Sequence, residues 1–247
     1  MRNIRLGIEY EGTNYCGWQR QRHNKHKKSI QETLERALRK ILREEIHLVA
    51  SGRTDAGVHA IAQVANFKTN SNITKDKLQK ALNGLLPDDI TIHKIEEVSV
   101  TFHSRFDTKT KVYRYAILNR AHPSALLRNT VYFYPHPLNI TLMQKEARVL
   151  LGRHNFESFQ ASDRKKRDPI KKIKGLKIVK DKDLIYIYIE ASGFLRNMVR
   201  NIAGTLIEIG RGRFPEGSLR KILRARNRKL AGPTVPARGL SLIKVNY

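Results

Sequence analysis

Residues 46–67 read IHLVASGRTDAGVHAIAQVANF, and this stretch decides how the first half of the chain folds. The run from Ile46 to Ala50 is β-prone and the run from Ile61 to Phe67 is again apolar, so the pattern predicts two strands joined by a loop. Within the loop a single carboxylate, Asp55, lies between two glycines, which permit backbone angles that a Cβ forbids. The sequence predicts a turn that presents this carboxylate; an ordinary charged surface turn is the alternative, because Asp and Gly are common turn residues.

The same patterns continue through the rest of the chain and predict alternating strands and helices. Ser29 with Glu32 has capping-box spacing at the start of one helix, and Thr74 opens a second helix that Pro87 ends. Further strands are predicted over residues 4–10, 90–95, 111–118, near 131, and over 173–179, 184–190 and 240–245, and further helices over 141–151, 194–209 and 216–226.

This order is neither all-β nor strict βαβ. We therefore expect an α+β fold of two related halves, residues 1–107 and 108–247, each with an antiparallel or mixed sheet backed by helices.

The charge balance indicates a polyanionic partner. The chain holds 48 Lys and Arg against 22 Asp and Glu, a formal net charge of +26. Three basic clusters favour a nucleic acid over a membrane surface, because no segment combines a basic face with a large exposed apolar face. The clusters are Arg20, Arg22, Lys25, Lys27 and Lys28; residues 164–167 with Lys171, Lys172 and Lys174; and Arg211, Arg213, Arg220, Lys221, Arg224, Arg226, Arg228 and Lys229.

Several classes of protein are disfavoured. No run approaches about 18 consecutive apolar residues and the N-terminus lacks the apolar core of a secretory signal, so we expect a cytoplasmic protein without a membrane segment. Cys16 is the sole cysteine, which excludes an internal disulfide and a Cys-x-x-Cys zinc site. His23 and His26 lack a fourth ligand at metal spacing, and no phosphate-binding or dinucleotide motif is present. We expect neither a metal nor a cofactor.

Two further patterns leave alternatives open. In the predicted helix 194–209, periodicity sends Arg196 and Arg200 to solvent, whereas a helix that lines a cleft would direct Arg200 into it. Tyr113 and Tyr115 share one face of their strand. Such tyrosines are commonly core residues, but on a cleft-lining strand a tyrosine can stack on an unpaired base.

Three motifs together resemble the TruA family of tRNA pseudouridine synthases: GRTDAGVH at 52–59, KVYRY at 111–115 and FLRNMVR at 194–200. The likeness covers nearly the whole chain, from LGIEYEGT at 6–13 to GLSL at 239–242. It implies the pseudouridine synthase fold with an active-site cleft between the halves, and an enzyme that needs no cofactor. The implied reaction isomerises uridine to pseudouridine in the anticodon stem-loop of tRNA, at tRNA positions 38, 39 and 40.

The resemblance also implies roles for single residues. Asp55 is the essential carboxylate and Arg200 pairs with it; Arg53 holds open the extruded site, Tyr113 stacks on the target base, and Leu240 supplies an apolar wall. The carboxylate could attack ribose C1′, add to uracil C6 or withdraw a ribose proton, and each route needs it ionised. Extruding a base costs a few kcal/mol, which phosphate contacts must offset. Finally, the resemblance implies a homodimer in which tRNA touches both subunits.

Two other functions fit parts of the sequence. A non-catalytic RNA-binding protein or RNA chaperone would explain the charge but assigns Asp55 no task. A ribonuclease would use Asp55 and His59 as an acid and base pair, although Gly57 between them argues against a continuous helix. A ribonuclease shortens its RNA, whereas an isomerase leaves RNA length and mass unchanged.

Overall fold

The structure is a computed structural model that describes residues 1–21, 28–161 and 168–247. Its residues form two compact units, Met1–Lys109 with Leu242–Tyr247, and Thr110–Ser241. Parts of two predicted basic clusters, and the two histidines considered as metal ligands, lie outside the described residues: Arg22, His23, Lys25, His26, Lys27 and residues 164–167.

The first unit alternates strands and helices around a central first strand. Its elements are β1 (Arg2–Tyr10), α1 (Ile30–Leu42), β2 (Val49–Ala50), β3 (His59–Thr69), α2 (Lys75–Leu85) and β4 (Ile90–Val98). Strand β1 pairs antiparallel with β3 and β4, and β2 pairs antiparallel with β3. Because side chains alternate along a strand, Ile4, Leu6, Ile8 and Tyr10 share one face, and each is at most 3% exposed.

Local side chains define the ends of these helices as the sequence predicts. The Ser29 hydroxyl accepts the Glu32 N–H at 3.1 Å, and the Thr74 hydroxyl accepts the Lys77 N–H at 3.4 Å. Helix α2 is fixed against β4 because the Asn83 amide donates to the Ile92 carbonyl at 3.0 Å and accepts the Ile92 N–H at 2.8 Å. This contact lies where the register between β1 and β4 shifts, so the side chain satisfies backbone groups at a β-bulge.

The second unit has a mixed sheet with helices. Its elements are β5 (Thr110–Leu118), β6 (Tyr132–Phe133), α3 (Ile140–Ala147), β7 (Gly152–Asn155), β8 (Ile170–Asp181), β9 (Leu184–Ala191), α4 (Met198–Gly210), α5 (Ser218–Ala225) and the start of β10 (Leu240–Asn246). Strands β5, β9, β8 and β7 pair in that order, all antiparallel, while β6 pairs parallel with β5. The α+β fold with a mixed sheet is therefore confirmed.

Helix α4 is the most buried helix of this unit and has almost no solvent-facing side. Every α4 residue except Arg200 is buried, the pattern of a helix surrounded by protein. Segment 231–235 crosses α4 so closely that a Cβ on Gly204 would lie 1.9 Å from the Pro233 carbonyl oxygen. Glycine at this position is therefore required by the packing of that segment.

The predicted helix 194–209 is wrong at its start. Helix α4 begins only at Met198, because Asn197 has a left-handed backbone with φ of 58°, which a right-handed helix does not accommodate. Arg196 consequently lies outside the helix and is exposed, whereas Arg200 occupies the first turn and is half-buried. The two arginines are therefore not neighbours on one helical face.

Other elements also differ from the prediction. The helix predicted over 141–151 ends at Ala147 and continues as a 3₁₀ helix over Arg148–Leu150. The strand predicted over 46–50 is only the two residues of β2. Strand β7 was missed, because a four-residue segment of sequence GRHN lacks the apolar alternation that identifies a strand.

The last residues of the chain belong to the first unit, whereas a division at 107/108 assigns them to the second half. The Lys109 N–H donates to the Asn246 carbonyl at 2.8 Å, and the Tyr247 hydroxyl donates to the Ser104 carbonyl at 3.0 Å. The Tyr247 ring also lies 5.0 Å from the Phe102 ring, centroid to centroid. Backbone pairing and aromatic contacts together hold this end of the chain.

Candidate active site

Asp55 lies on an exposed turn of the first unit, beside the exposed side chain of Arg53. The Val58 N–H donates to the Asp55 carbonyl at 3.1 Å and closes the turn. Gly57 has a φ of 74°, a left-handed angle that glycine adopts without strain. Gly52, the other glycine of the predicted turn, is not among the residues with positive φ. Asp55 thus lies on a turn, as the sequence predicts, and both its carboxylate and the Arg53 guanidinium face solvent.

Buried side chains hold the residues of this loop that precede Asp55. The Ser51 hydroxyl donates to the Gln63 side-chain oxygen at 2.7 Å, and the Gln63 amide donates to the Gly52 carbonyl at 3.0 Å. Beside Asp55, the Thr54 hydroxyl shares a 2.8 Å hydrogen bond with the Tyr10 hydroxyl. Burial raises the pKa of Tyr10 to about 12, so its phenol stays protonated and able to donate. These contacts fix the backbone on which the exposed carboxylate is mounted.

Two glycines outside the loop allow the chain after β1 to pack directly on the loop backbone. A Cβ on Gly12 would lie 2.1 Å from the Val58 carbonyl oxygen, and a Cβ on Gly17 would lie 2.6 Å from the Thr54 carbonyl oxygen. Next to Gly17, the Trp18 N–H donates to the Thr54 carbonyl at 3.0 Å. Sequence periodicity did not identify these contacts; the glycines themselves were the only signal.

His59 has a structural contact in the first unit. It is the first residue of β3, is only 5% exposed, and its Nδ1 accepts the Gly12 N–H at 3.0 Å. A ring nitrogen that accepts a backbone N–H is unprotonated and engaged. The imidazole therefore helps to hold the loop, a structural role that the ribonuclease interpretation does not include.

The tyrosines of β5 are buried in the second unit. The Tyr113 ring meets the Phe194 ring edge to face, with centroids 5.0 Å apart, and is 8% exposed. Tyr115 is fully buried, and its hydroxyl donates to the Pro236 carbonyl at 2.9 Å. Burial raises the pKa of Tyr115, in keeping with a protonated donor. Leu240, at the start of β10, is 7% exposed.

Two acceptors orient Arg200 within the second unit. Its Nε donates to the Val235 carbonyl at 2.7 Å and its Nη1 donates to the Asn197 side-chain oxygen at 3.1 Å. Asn197, whose left-handed backbone precedes the first residue of α4, thereby places its side-chain oxygen beside Arg200 as a hydrogen-bond acceptor. The guanidinium of Arg200 is thus held in a defined orientation at the first turn of α4.

A buried network holds the segment that carries the Val235 carbonyl. Asn201 is fully buried, and its side-chain oxygen accepts from Arg228 at 3.0 Å and from the Thr234 hydroxyl at 2.5 Å. Its amide donates to the Phe159 carbonyl at 2.7 Å. We call residues 231–235, with the Arg228 and Asn201 side chains that hold them, the strap. No motif in the sequence indicated this network.

The predicted site residues are thus divided between the units. Arg53 and Asp55 lie on one loop of the first unit, while Tyr113, Arg200 and Leu240 belong to the second. Among the residues that the structure describes, no group of three or more His, Cys, Asp or Glu is arranged to hold a metal ion. In the same ranges, no helix has the length and apolarity needed to cross a bilayer.

The similarity to known proteins extends over the whole chain. The family model described as tRNA pseudouridine synthase matches residues 7–107 and 147–247. Proteins named tRNA pseudouridine synthase A are similar over their full lengths and all of this chain: 46% identity in Thermoanaerobacter pseudethanolicus, and 44% in Acetivibrio thermocellus and in Clostridium acetobutylicum. The loop that presents Asp55 and the helix that carries Arg200 both fall inside the matched segments. The chain therefore belongs to the tRNA pseudouridine synthase family.

Proposed function

We propose that this protein isomerises uridine to pseudouridine in the anticodon stem-loop of tRNA, with Asp55 as the essential carboxylate. The observation that carries the proposal is the exposed carboxylate of Asp55 on a turn whose backbone is fixed by buried side chains and by close glycine contacts. This turn lies within a segment that matches the family model. A charged group mounted on a fixed backbone needs little reorganisation when a substrate arrives.

The proposed reaction conserves every atom of the nucleotide. The bond from ribose C1′ to uracil N1 breaks, the uracil turns, and a bond from C1′ to C5 forms; the proton on C5 leaves and N1 takes one up. An ionised Asp55 can begin this sequence at C1′, at uracil C6 or at a ribose proton, and all three routes require the deprotonated carboxylate.

Four other residues have proposed roles around the extruded uridine. Arg200 pairs with Asp55 and keeps it ionised, a role supported by the two acceptors that already orient its guanidinium. Tyr113 stacks on the target base and assists exchange of the C5 proton. Arg53 holds open the site that the base leaves, and Leu240 forms an apolar wall.

The decisive test is Asp55→Asn assayed on a uridine-containing tRNA transcript. We expect pseudouridine formation to be lost while tRNA affinity stays within a few-fold of wild type, because the amide keeps the shape of the carboxylate but cannot act as a base or nucleophile. Pseudouridine-specific labelling measures product, and a gel checks that RNA length is unchanged.

The matched control is Asp88→Asn, which removes one exposed carboxylate from the same unit. This variant should retain wild-type activity within about two-fold. Appreciable product from Asp55→Asn, or equal loss in both variants, would contradict the assigned role of Asp55.

We also propose that the protein is a cytoplasmic homodimer whose two subunits share one tRNA. The family likeness supports this assembly. Light scattering should give a mass twice the 28.5 kDa of a single chain. A monomeric mass at the concentration used for the activity assay would contradict the dimer.

A further inference from the structure

A groove in the second unit remains unexplained by the proposed reaction. It is formed by α5, β7 and the 3₁₀ helix that follows α3, and its volume is about 560 Å³. Apolar and basic side chains line it together: Val149, Leu151, Leu223, Arg220, Arg224 and Arg226. Its volume lies within the range of ligand-binding clefts, roughly 300 to 1,000 Å³.

The helical geometry of α5 produces the mixed lining. Leu219, Ile222 and Leu223 are buried, while Arg220 and Arg224 are exposed one turn apart on the same helix. Residues four apart on a helix are neighbours, so the two guanidinium groups act on one stretch of surface. Arg226 has a left-handed φ of 51° just after α5 and adds a third guanidinium to the same groove.

These charges are not neutralised by neighbouring acids in the described ranges. Two carboxylates beside α5 are engaged elsewhere: Glu146 accepts the Gly217 and Leu219 N–H groups, and Glu216 pairs with Lys145. None of the three groove arginines forms an ion pair with a described acidic residue. Three unneutralised guanidiniums around an apolar floor favour a ligand that carries several anionic groups together with flat apolar surface.

We propose that this groove binds the phosphate backbone of tRNA outside the anticodon stem-loop. The inference rests on the proposed function, which supplies the RNA, and adds a second contact surface to it. The residues assigned to the reacting nucleotide, Arg53, Asp55, Tyr113, Arg200 and Leu240, are absent from its lining. Nucleic acid is favoured over an acidic peptide because the whole chain has a net charge of +26, while guanidiniums bind phosphate in a bidentate manner and the apolar floor accepts sugar or base surface.

The test compares full-length tRNA with an isolated anticodon stem-loop RNA. We expect Arg220→Gln with Arg224→Gln to lower affinity for full-length tRNA by about tenfold and to reduce the salt dependence of binding by about one unit of logarithmic slope per lost phosphate contact. The loss for the stem-loop RNA should be distinctly smaller. The control pair Lys221→Gln with Lys229→Gln removes the same charge from exposed positions that do not line the groove, so it measures the non-specific effect of charge alone.

The outcomes separate this inference from the proposed function. Unchanged affinity for full-length tRNA, or a loss no larger than that of the lysine pair, would overturn the groove assignment. An equal loss for both RNAs would also overturn it, because the groove would then serve the stem-loop itself. Failure of the wild-type protein to make pseudouridine would instead refute the proposed function. The binding comparison would still show whether the groove contacts full-length tRNA. Thermal unfolding of each variant verifies that the fold is intact.

Discussion

At the scale of single residues, the candidate site combines exposed charge with buried support. Asp55 and Arg53 face solvent, while Thr54 between them is 6% exposed and bonds to the buried phenol of Tyr10. This alternation lets one short segment be both reactive and fixed, because the groups that bind the backbone are not the groups that would meet a substrate.

The titration of Tyr10 should make the free energy of unfolding decrease at alkaline pH. Burial raises the pKa of Tyr10 from 10.0 to about 12, so between these values only the unfolded chain loses the phenol proton. The free energy of unfolding should therefore be unaffected by this group below pH 10 and should fall above it, by about 1.4 kcal/mol per pH unit.

Denaturant unfolding of wild type and Tyr10→Phe at several pH values checks this sign. The variant should begin about 1 kcal/mol less stable, because it lacks the hydrogen bond to Thr54, and should lose less stability than wild type as pH rises. Tyr188→Phe, which alters a half-buried phenol on β9, serves as control. Parallel curves for wild type and Tyr10→Phe would contradict the prediction.

At the scale of elements, one helix supplies the cap of another. Glu146 of α3 is 8% exposed, and its carboxylate accepts the Gly217 N–H at 2.8 Å and the Leu219 N–H at 3.1 Å at the start of α5. Gly217 offers α5 no side-chain cap of its own. A negative group at a helix N-terminus satisfies free N–H donors and complements the helix dipole.

Glu146→Ala should therefore lower the free energy of unfolding by about 2 to 3 kcal/mol, since buried hydrogen bonds to a charged group are lost. Lys145→Ala removes only the exposed ion pair with Glu216 and should cost less than about 1 kcal/mol. Equilibrium urea denaturation measures both. Similar stability losses in the two variants would show that Glu146 does not hold α5.

The strap is a second case in which distant elements are joined by hydrogen bonds, and its Val235 carbonyl helps to orient Arg200. Thr234→Val keeps the side-chain shape but removes the hydrogen bond to Asn201, so the Val235 carbonyl that accepts from Arg200 should shift. We expect kcat to fall about tenfold with little change in KM, and Thr234→Ser to restore activity. A change in KM alone, or no rescue by serine, would assign the strap no positioning role.

At the scale of the whole molecule, the charge predicts how tRNA binding responds to salt. With a net charge of +26, we expect several phosphates to be neutralised, each contributing about 0.9 to the slope of log affinity against log salt for duplex regions. Fluorescence anisotropy at increasing salt should give a slope of about −5 or steeper. Asp55→Asn should give the same slope, and a flat response would indicate a partner other than a nucleic acid.

Local patterns in the sequence were enough to predict much of this protein. Alternating apolar residues identified β1, hydroxyl residues at helix starts identified the caps of α1 and α2, and three motifs identified the family. Each of these signals depends on residues a few positions apart, so it can be read without knowing the tertiary structure. The turn that carries Asp55 was predicted on the same basis.

Only the tertiary structure decided which distant residues support that turn and its surroundings. The hydrogen bond between Tyr10 and Thr54 joins residues 44 positions apart, and the cap from Glu146 to Leu219 joins residues 73 positions apart. The close packing of α4 against segment 231–235 at Gly204 likewise joins distant parts of the chain. Such contacts arise when folding brings remote segments together, and sequence periodicity, which reports only neighbouring positions, carries no record of them.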